Sequence, residues 1–211
     1  VYKRQLLCDP RPGMHVADIC AGAAGKSLVM AAAMENRGRI VALDTDAGRL
    51  ERGGARIRRA GIHNIERVAV SGDWGTKRYR GKFDRVVIDA PCSGSGTWRR
   101  QVDVRWRTDA ATMARLHDAQ ASLLEKGRAM LAPGGRIVYI TCSVLRSEGE
   151  AQIERLMQDA PELEIANIAE IWRDVIGEDA MPPVSDGMLR LLPGRDGTDG
   201  FFMAVLQSRL R

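Results

Sequence analysis

Short, almost wholly apolar runs alternate along this chain with longer stretches in which apolar residues recur every three or four positions. The short runs are too brief for helices and lack the in-out alternation of half-exposed strands, so they read as strands buried on both faces. His15-Val-Ala-Asp-Ile-Cys20 is the first and leads into a turn of small residues. Residues 28–34 predict a helix that Asn36-Arg-Gly38 stops. Arg39-Ile-Val-Ala-Leu-Asp44 predicts the second strand, and residues 46–60 a helix closed by Gly61. Gly48, Gly53 and Gly54 weaken that helix, each costing about 1 kcal/mol relative to Ala.

Further on, residues 67–71 predict a third strand closing at Gly72-Asp73, and Phe83-Asp-Arg-Val-Val-Ile-Asp89 a fourth. Thr108 is placed to cap a long helix with an apolar face of Met113, Leu116, Leu123, Leu124 and Leu131, which Pro133-Gly-Gly135 would break. Residues 136–141 predict a fifth strand, and Ser147 with Glu150 has the spacing of a capping box for the next helix. Past Ile171 the chain grows rich in Pro and Gly and finishes on an apolar run, 201–206, expected to be the last strand. Strands alternating with helices predict an α/β fold with a parallel sheet. With no repeat, low-complexity tract or linker, residues 6–211 are expected to form one domain.

Composition narrows the class. At 211 residues and 45% hydrophobic, the chain can bury an ordinary core. No apolar run approaches the ~20 residues of a membrane span, and the start lacks the apolar stretch of a signal peptide, so a cytoplasmic protein is expected. Cys8, Cys20, Cys92 and Cys142 lack the close spacing of a zinc site, so free thiols and no metal are expected. A net charge of +5 suits a polyanionic partner, although a merely solvated basic surface would look the same. Val1-Tyr-Lys-Arg-Gln5 matches what a common sequencing-library adaptor would encode, so residues 1–5 read as non-native and the chain as a fragment.

The turn Cys20-Ala-Gly-Ala-Ala-Gly-Lys-Ser27 resembles a phosphate-binding loop only superficially, because Cys20 stands where that loop needs its first glycine. The reading left is the turn after strand one of a Rossmann-like sheet. There Cys20, Ala21, Gly22, Ala23, Ala24, Gly25 and Lys26 would let backbone approach an adenosine-containing ligand. Asp44 would accept from the ribose hydroxyls, and Asp73 would meet the adenine side. A nicotinamide dinucleotide would fit that geometry too. Downstream, however, Cys92 in Asp89-Ala-Pro-Cys-Ser-Gly94 and Cys142 in Tyr139-Ile-Thr-Cys-Ser143 end two predicted strands. Thiols are not hydride-transfer groups; a thiolate can add to carbon 6 of a pyrimidine, and S-adenosyl-L-methionine fits both halves. A single such cysteine would more often be a small buried hydrophobe. Which thiol attacks is not fixed by spacing.

The run Trp98-Arg-Arg-Gln-Val-Asp-Val-Arg-Trp-Arg107 interleaves guanidinium and aromatic groups, suited to RNA phosphates and unstacked bases, with Arg99 and Arg100 nearest the active-site loop. The alternative is a solvated loop whose tryptophans tuck inward. Arg56, Arg58 and Arg59 read as a solvated helix face, and His15, His63 and His117 fall outside every motif.

Asp18-x-Cys-Ala, Gly25-Lys-Ser27, Asp89-Ala-Pro-Cys-Ser-Gly94, Gly96-Thr-Trp-Arg-Arg100, Thr141-Cys-Ser143 and Asp199-Gly-Phe-Phe202 occur in this order. Together, over about residues 13–206, they resemble the RNA cytosine-5 methyltransferases, most closely the bacterial 16S ribosomal RNA branch. The resemblance implies a class I S-adenosylmethionine-dependent methyltransferase fold, Rossmann-like, with a mostly parallel seven-stranded sheet and an antiparallel last strand. It implies cofactor contacts from residues 20–26, Asp44, Asp73 and Asp89, with Cys142 as nucleophile and Cys92 as the release thiol. Asp89 would also meet the N3 and amino edge of the base. The implied partner is RNA with a flipped-out or single-stranded cytosine, bound by a monomer. Transfer RNA or DNA as substrate, or an idle RNA-binding module, remain open alternatives. Two departures stand out: Ala24 replaces a family glycine, and little remains of the family's upstream RNA-contacting segment.

Overall fold

The computed structural model describes residues 7–71, 74–106, 108–177 and 183–209. In chain order these form β1 (His15–Ile19), α1 (Gly25–Ala33), β2 (Arg39–Asp44), α2 (Ala47–Arg59), β3 (Ile65–Ala69) and β4 (Phe83–Asp89). Then come α3 (Val102–Trp106), α4 (Ala110–Met130), β5 (Leu131–Thr141), α5 (Glu150–Asp159), β6 (Leu163–Ala166) and α6 (Ile168–Val175). The chain ends with β7 (Val184–Ser185), β8 (Met188–Leu191), α7 (Pro193–Asp196) and β9 (Phe201–Ser208).

One sheet runs in the order β3-β2-β1-β4-β5-β9-β8-β7. The first five strands pair in parallel and β9 is antiparallel to β5. Beyond β9 the seventh position is shared: β6 pairs with residues 205–208 and β8 with residues 201–203, end to end. The sheet therefore has nine strands where seven were implied, because β6 and β8 share one position and the two-residue β7 is added outside β8; the parallel strands and the antiparallel last strand are as implied.

Alternate residues of the central strands enter opposite cores. Ala17, Ile19, Val86, Ile88, Ile137 and Tyr139 pack with Leu124 and Met130 of α4 and Ile153 and Leu156 of α5. Val16, Val87, Val138 and Ile140 pack with Met30 and Met34 of α1 and Ile171 and Trp172 of α6. Burial on both faces is why these strands read as continuous apolar runs.

Several boundaries differ from expectation. The third strand starts two residues earlier than predicted and ends at Ala69. Asp109, not Thr108, caps α4 by accepting from the Thr112 amide; Thr108 instead donates to the Val104 carbonyl. The helix stops at Met130, and Leu131 already pairs with Phe83, so Pro133-Gly134-Gly135 is an irregularity inside β5 rather than a helix break. On α4 the buried stripe is Gln120, Leu124, Gly127 and Met130; of the predicted face Leu124 is in it and Leu123 packs against the same core, while Met113 and Leu116 are only half-buried. No capping box forms at α5: residues 146–148 make a 3-10 turn, Gly149 holds the cap position, and Glu150 pairs with Arg190.

Candidate active site

In a parallel sheet, ligands bind beyond the carboxyl ends of the strands, where neighbouring connections leave in opposite directions. Here that point lies between β1, which borders both β2 and β4, and the ends of β4 and β5. The turn after β1, Asp44 at the end of β2, Asp89 at the end of β4 and Cys142 just past β5 all open onto it. A cavity of about 850 Å³ fills the crevice, lined by Cys20, Ala21, Gly22, Ala23, Gly25, Lys26, Asp44, Asp89, Cys92 and Cys142, with Val29, Thr45, Arg49, Ala90 and Pro91.

The turn is strained. Cys20, Gly22 and Ala24 all take left-handed backbone, with φ of 63°, 56° and 56°. For Cys20 and Ala24 the Cβ makes this costly, by roughly 1–2 kcal/mol each, so the strain that Ala24 would bring to a left-handed position is present. The Gly22 amide donates to Asp44 (2.7 Å), and Ser27 Oγ donates to the wholly buried Asp18 (2.6 Å). Burial pushes the Asp18 carboxyl above the ordinary range, opposed by the nearby Lys26 charge. Lys26 Nζ reaches across to Asp89 at 2.6 Å, joining the turn to the end of β4.

Of the residues expected at this cavity, one is placed beneath it and another is not described. Ala24 is buried beneath the turn, facing Gly53 of α2, and is not part of the cavity lining. Asp73 lies outside the described residues. Conversely, Val29, Thr45 and Arg49 line the cavity but carry no motif; only adjacency to the turn and to Asp44 could have flagged them.

The two thiols meet. Asp89 and Ile140 are paired on adjacent parallel strands, so Cys92 and Cys142, three and two residues further on, leave the sheet side by side. Their Sγ atoms are 3.3 Å apart, in hydrogen-bonding contact. All four cysteines are free. Either sulfur can donate the shared hydrogen; with Cys92 as donor, that bond and burial hold its thiol above the ordinary range, while accepting the bond draws the Cys142 thiol below it. Cys8 and Cys20 are pushed up to about 12, chiefly by burial, and remain thiols.

Backbone contacts lock the two loops together. The Gly96 amide donates to the Cys142 carbonyl (2.9 Å), and the Gly200 amide to the Gly96 carbonyl (2.8 Å). A Cβ on Gly96 would sit 2.1 Å from the Gly200 carbonyl oxygen, so both motif glycines are required by close approach. Ser95 and Ser143 hydroxyls are 2.9 Å apart, and the Val144 amide donates to Ser95 Oγ.

Arg99 and Arg100 are exposed, but both pair with Asp199 rather than lining the crevice. Arg100 and Asp199 border a second cavity of about 470 Å³ that Cys142 also lines. Just beyond, Trp106 is 80% exposed, with the Arg105 guanidinium 5.5 Å from its ring centre and 5.7 Å from that of Trp98. Arg107 lies outside the described residues. Among those described, no group of three or more His, Cys, Asp or Glu is placed to share a metal ion, and no helix is long and apolar enough to cross a membrane.

The residues fit an adenosyl cofactor. Apart from their chain neighbours and the adjoining helix backbone, no atom of the described residues lies within 4 Å of where a Cβ would stand on Gly22 or Gly25, so the turn presents open backbone to the cavity, flanked by the Asp44 carboxylate.

Comparison with known proteins agrees with this layout. The model of the family described as 16S rRNA methyltransferase RsmB/F matches residues 5–207. The probable ribosomal RNA small subunit methyltransferase B of Synechocystis sp. is 36% identical over 209 residues, covering 95% of this chain and 44% of the relative. Its counterpart in Bacillus subtilis is 32% identical over 202 residues, covering 95% and 44%. The chain thus spans less than half the length of these relatives. A solved methyltransferase homolog protein from Pyrococcus horikoshii is 30% identical with a TM-score of 0.75, over 98% of this chain and 65% of that one. NSun6 from Pyrococcus horikoshii, solved with SFG, shares the fold at a TM-score of 0.81 and 22% identity, over 100% of this chain and 52% of that one.

Proposed function

This chain belongs to the 16S rRNA methyltransferase RsmB/F family, and from that membership we propose that it methylates carbon 5 of a cytosine in RNA, ribosomal RNA foremost, through a covalent bond from Cys142 to carbon 6. The proposed setting is the cytoplasm, with the protein acting as a monomer on a cytosine that is flipped out or single-stranded. The observation that carries the reading is the contact of Cys92 with Cys142 at 3.3 Å on the rim of the glycine-lined cavity.

Residues 20–23, Gly25, Lys26 and Asp44 would hold S-adenosylmethionine, which when bound supplies an electrophilic methyl group. Carbon 5 of cytosine is too poor a nucleophile to take that methyl unaided. Cys142, drawn toward the thiolate by the hydrogen bond from Cys92, adds to carbon 6 and leaves carbon 5 enamine-like. As Cys142 adds, N3 would take a proton from solvent, and Asp89, oriented by Lys26, would accept from that N3–H and from the exocyclic amino group, holding the protonated adduct.

After methylation, the proton on carbon 5 must leave and the carbon 6–sulfur bond must break. Bonding to carbon removes the negative charge that Cys142 offers to the Cys92 hydrogen. The main cause of the raised Cys92 pKa then disappears, and Cys92 can release its own proton to solvent and, as thiolate, take the proton from carbon 5 as Cys142 departs as thiolate. The hydrogen bond thus times the second thiol. Trp106, Arg105 and Trp98 are suited to stack unstacked bases beside this centre.

The test uses the natural-length protein with methyl-labelled cofactor and small-subunit ribosomal RNA, transfer RNA or DNA, followed by digestion to nucleosides. Label in 5-methylcytidine from the ribosomal RNA is expected. RNA affinity without methyl transfer would mean an idle binding module, and label in another nucleoside would refute the carbon 5 assignment.

A further inference from the structure

Beyond the two thiols and Asp89, the structure assigns a positioning role to Glu148: its buried carboxylate holds the Cys92 segment at the place where the two sulfurs touch. This rests on the proposed division of labour between Cys142 and Cys92, although the contact itself does not. Glu148 ends the 3-10 turn Arg146–Glu148, six residues past Cys142, and is wholly buried. Its Oε1 accepts from the Ser93 amide (2.8 Å) and from Gln120 Nε2 (3.1 Å), and its Oε2 accepts from Ser93 Oγ (2.5 Å). Gln120 also donates to the Pro91 carbonyl (2.9 Å), so the residues on both sides of Cys92 are tied to one carboxylate, Ser93 directly and Pro91 through Gln120. Tyr139, buried in β5, donates its hydroxyl to the Glu148 carbonyl (2.9 Å) and fixes the turn from below.

The residue type follows from the count of donors. Three hydrogens converge on two oxygens, and a buried carboxylate with only neutral donors around it is costly to keep. An amide of the same shape would turn an NH₂ group against one of the three donors. A group that only accepts is what the Pro91-Cys92-Ser93 segment requires to hold its course. The same negative charge faces both thiols, together with that of Asp89 on Cys142, and opposes ionisation of Cys92 before the nucleophile has reacted.

The test is Glu148→Gln in the natural-length protein, read in two ways. The first is the rate at which diamide, a thiol oxidant that takes up two hydrogens to become its hydrazine, joins Cys92 and Cys142 in a disulfide. A fall of about tenfold or more with the melting temperature held within a few degrees is expected, because closure depends on alignment of the reacting atoms. The second is catalysis on RNA: kcat should fall about tenfold with the KM for cofactor within about twofold, and a protein–RNA adduct should accumulate as in Cys92→Ala. If Glu148→Gln does not fold, Ser93→Ala removes one donor without bulk and should show the same changes at about threefold. Disulfide closure at the wild-type rate in the folded variant overturns the positioning role whatever catalysis does. Slowed closure with no adduct even in Cys92→Ala keeps Glu148 as the positioning residue of the pair and removes instead the roles proposed for the two thiols.

Discussion

Cys142 and Cys92 carry the same side chain, and what separates them chemically is which one gives its hydrogen to the other. That contact yields a pH prediction. With Cys92 as the donor, the Cys142 thiol lies below its ordinary range, against opposition from burial, Asp89 and Glu148. Thiolate, and so reactivity, appears as pH rises through the pKa. Removing the donor raises that pKa, so Cys92→Ala should move the pH profile of Cys142 alkylation by iodoacetamide to higher pH, measured by peptide mass spectrometry. An unmoved profile would mean the hydrogen bond does not set the nucleophile. Ala24 gives a second prediction: its φ of 56° is the conformation glycine takes without cost. Ala24→Gly should stabilise the protein by about 1 kcal/mol, a rise of about 2–4 °C in melting temperature, and tighten cofactor binding measured by calorimetry. The residue types at the strand ends were legible because Cys, Asp and Gly there have few structural uses in common. The chemistry dividing the thiols was not, because it depends on a hydrogen bond between residues 50 apart in sequence.

Helix α2 shows where propensity misleads. Gly53 and Gly54 weaken a helix taken alone, yet both face inward. A Cβ on Gly53 would stand 2.7 Å from the Ala23 carbonyl oxygen, so its absence lets α2 lie directly against the turn after β1. Gly54 leaves room for the Arg67 guanidinium, which donates to the Leu50 carbonyl. Gly53→Ala, a favourable change by propensity, should therefore cost about 1–3 kcal/mol from overpacking and weaken cofactor binding; a gain in melting temperature would contradict this account of the turn. Helix α3 is the opposite case, with Val102 62% and Trp106 80% exposed. Trp106→Ala should leave the melting temperature within about 1 °C, since the ring packs little, and lose about 1–3 kcal/mol of RNA affinity in a filter-binding assay. Helix and strand existence was readable from periodicity, but ends were not. Asp109 replaced Thr108 as cap, and Glu150 was drawn away from a local capping box by Arg190, an ion pair across 40 residues that no local pattern records.

Across the sheet, the strands read correctly were those buried on both faces, whose apolar runs leave no ambiguity. Segments β6 and β8 went unread because each is four residues long, carries a charge, and shares one sheet position with the other. Alternation of strand and helix makes the first five strands parallel, and their observed order brings the turn after β1 and the ends of β4 and β5 to one crevice. The proposed chemistry depends on that convergence, and its most direct test is the site of covalent attachment. Cys92→Ala in the natural-length protein, incubated with ribosomal RNA and S-adenosylmethionine and digested for mass spectrometry, should yield a cytidine-derived adduct on the peptide bearing Cys142. Cys142→Ala should give neither adduct nor methylated RNA. Attachment to Cys92 in the Cys142→Ala protein, or methylation that survives the loss of Cys142, would contradict the account.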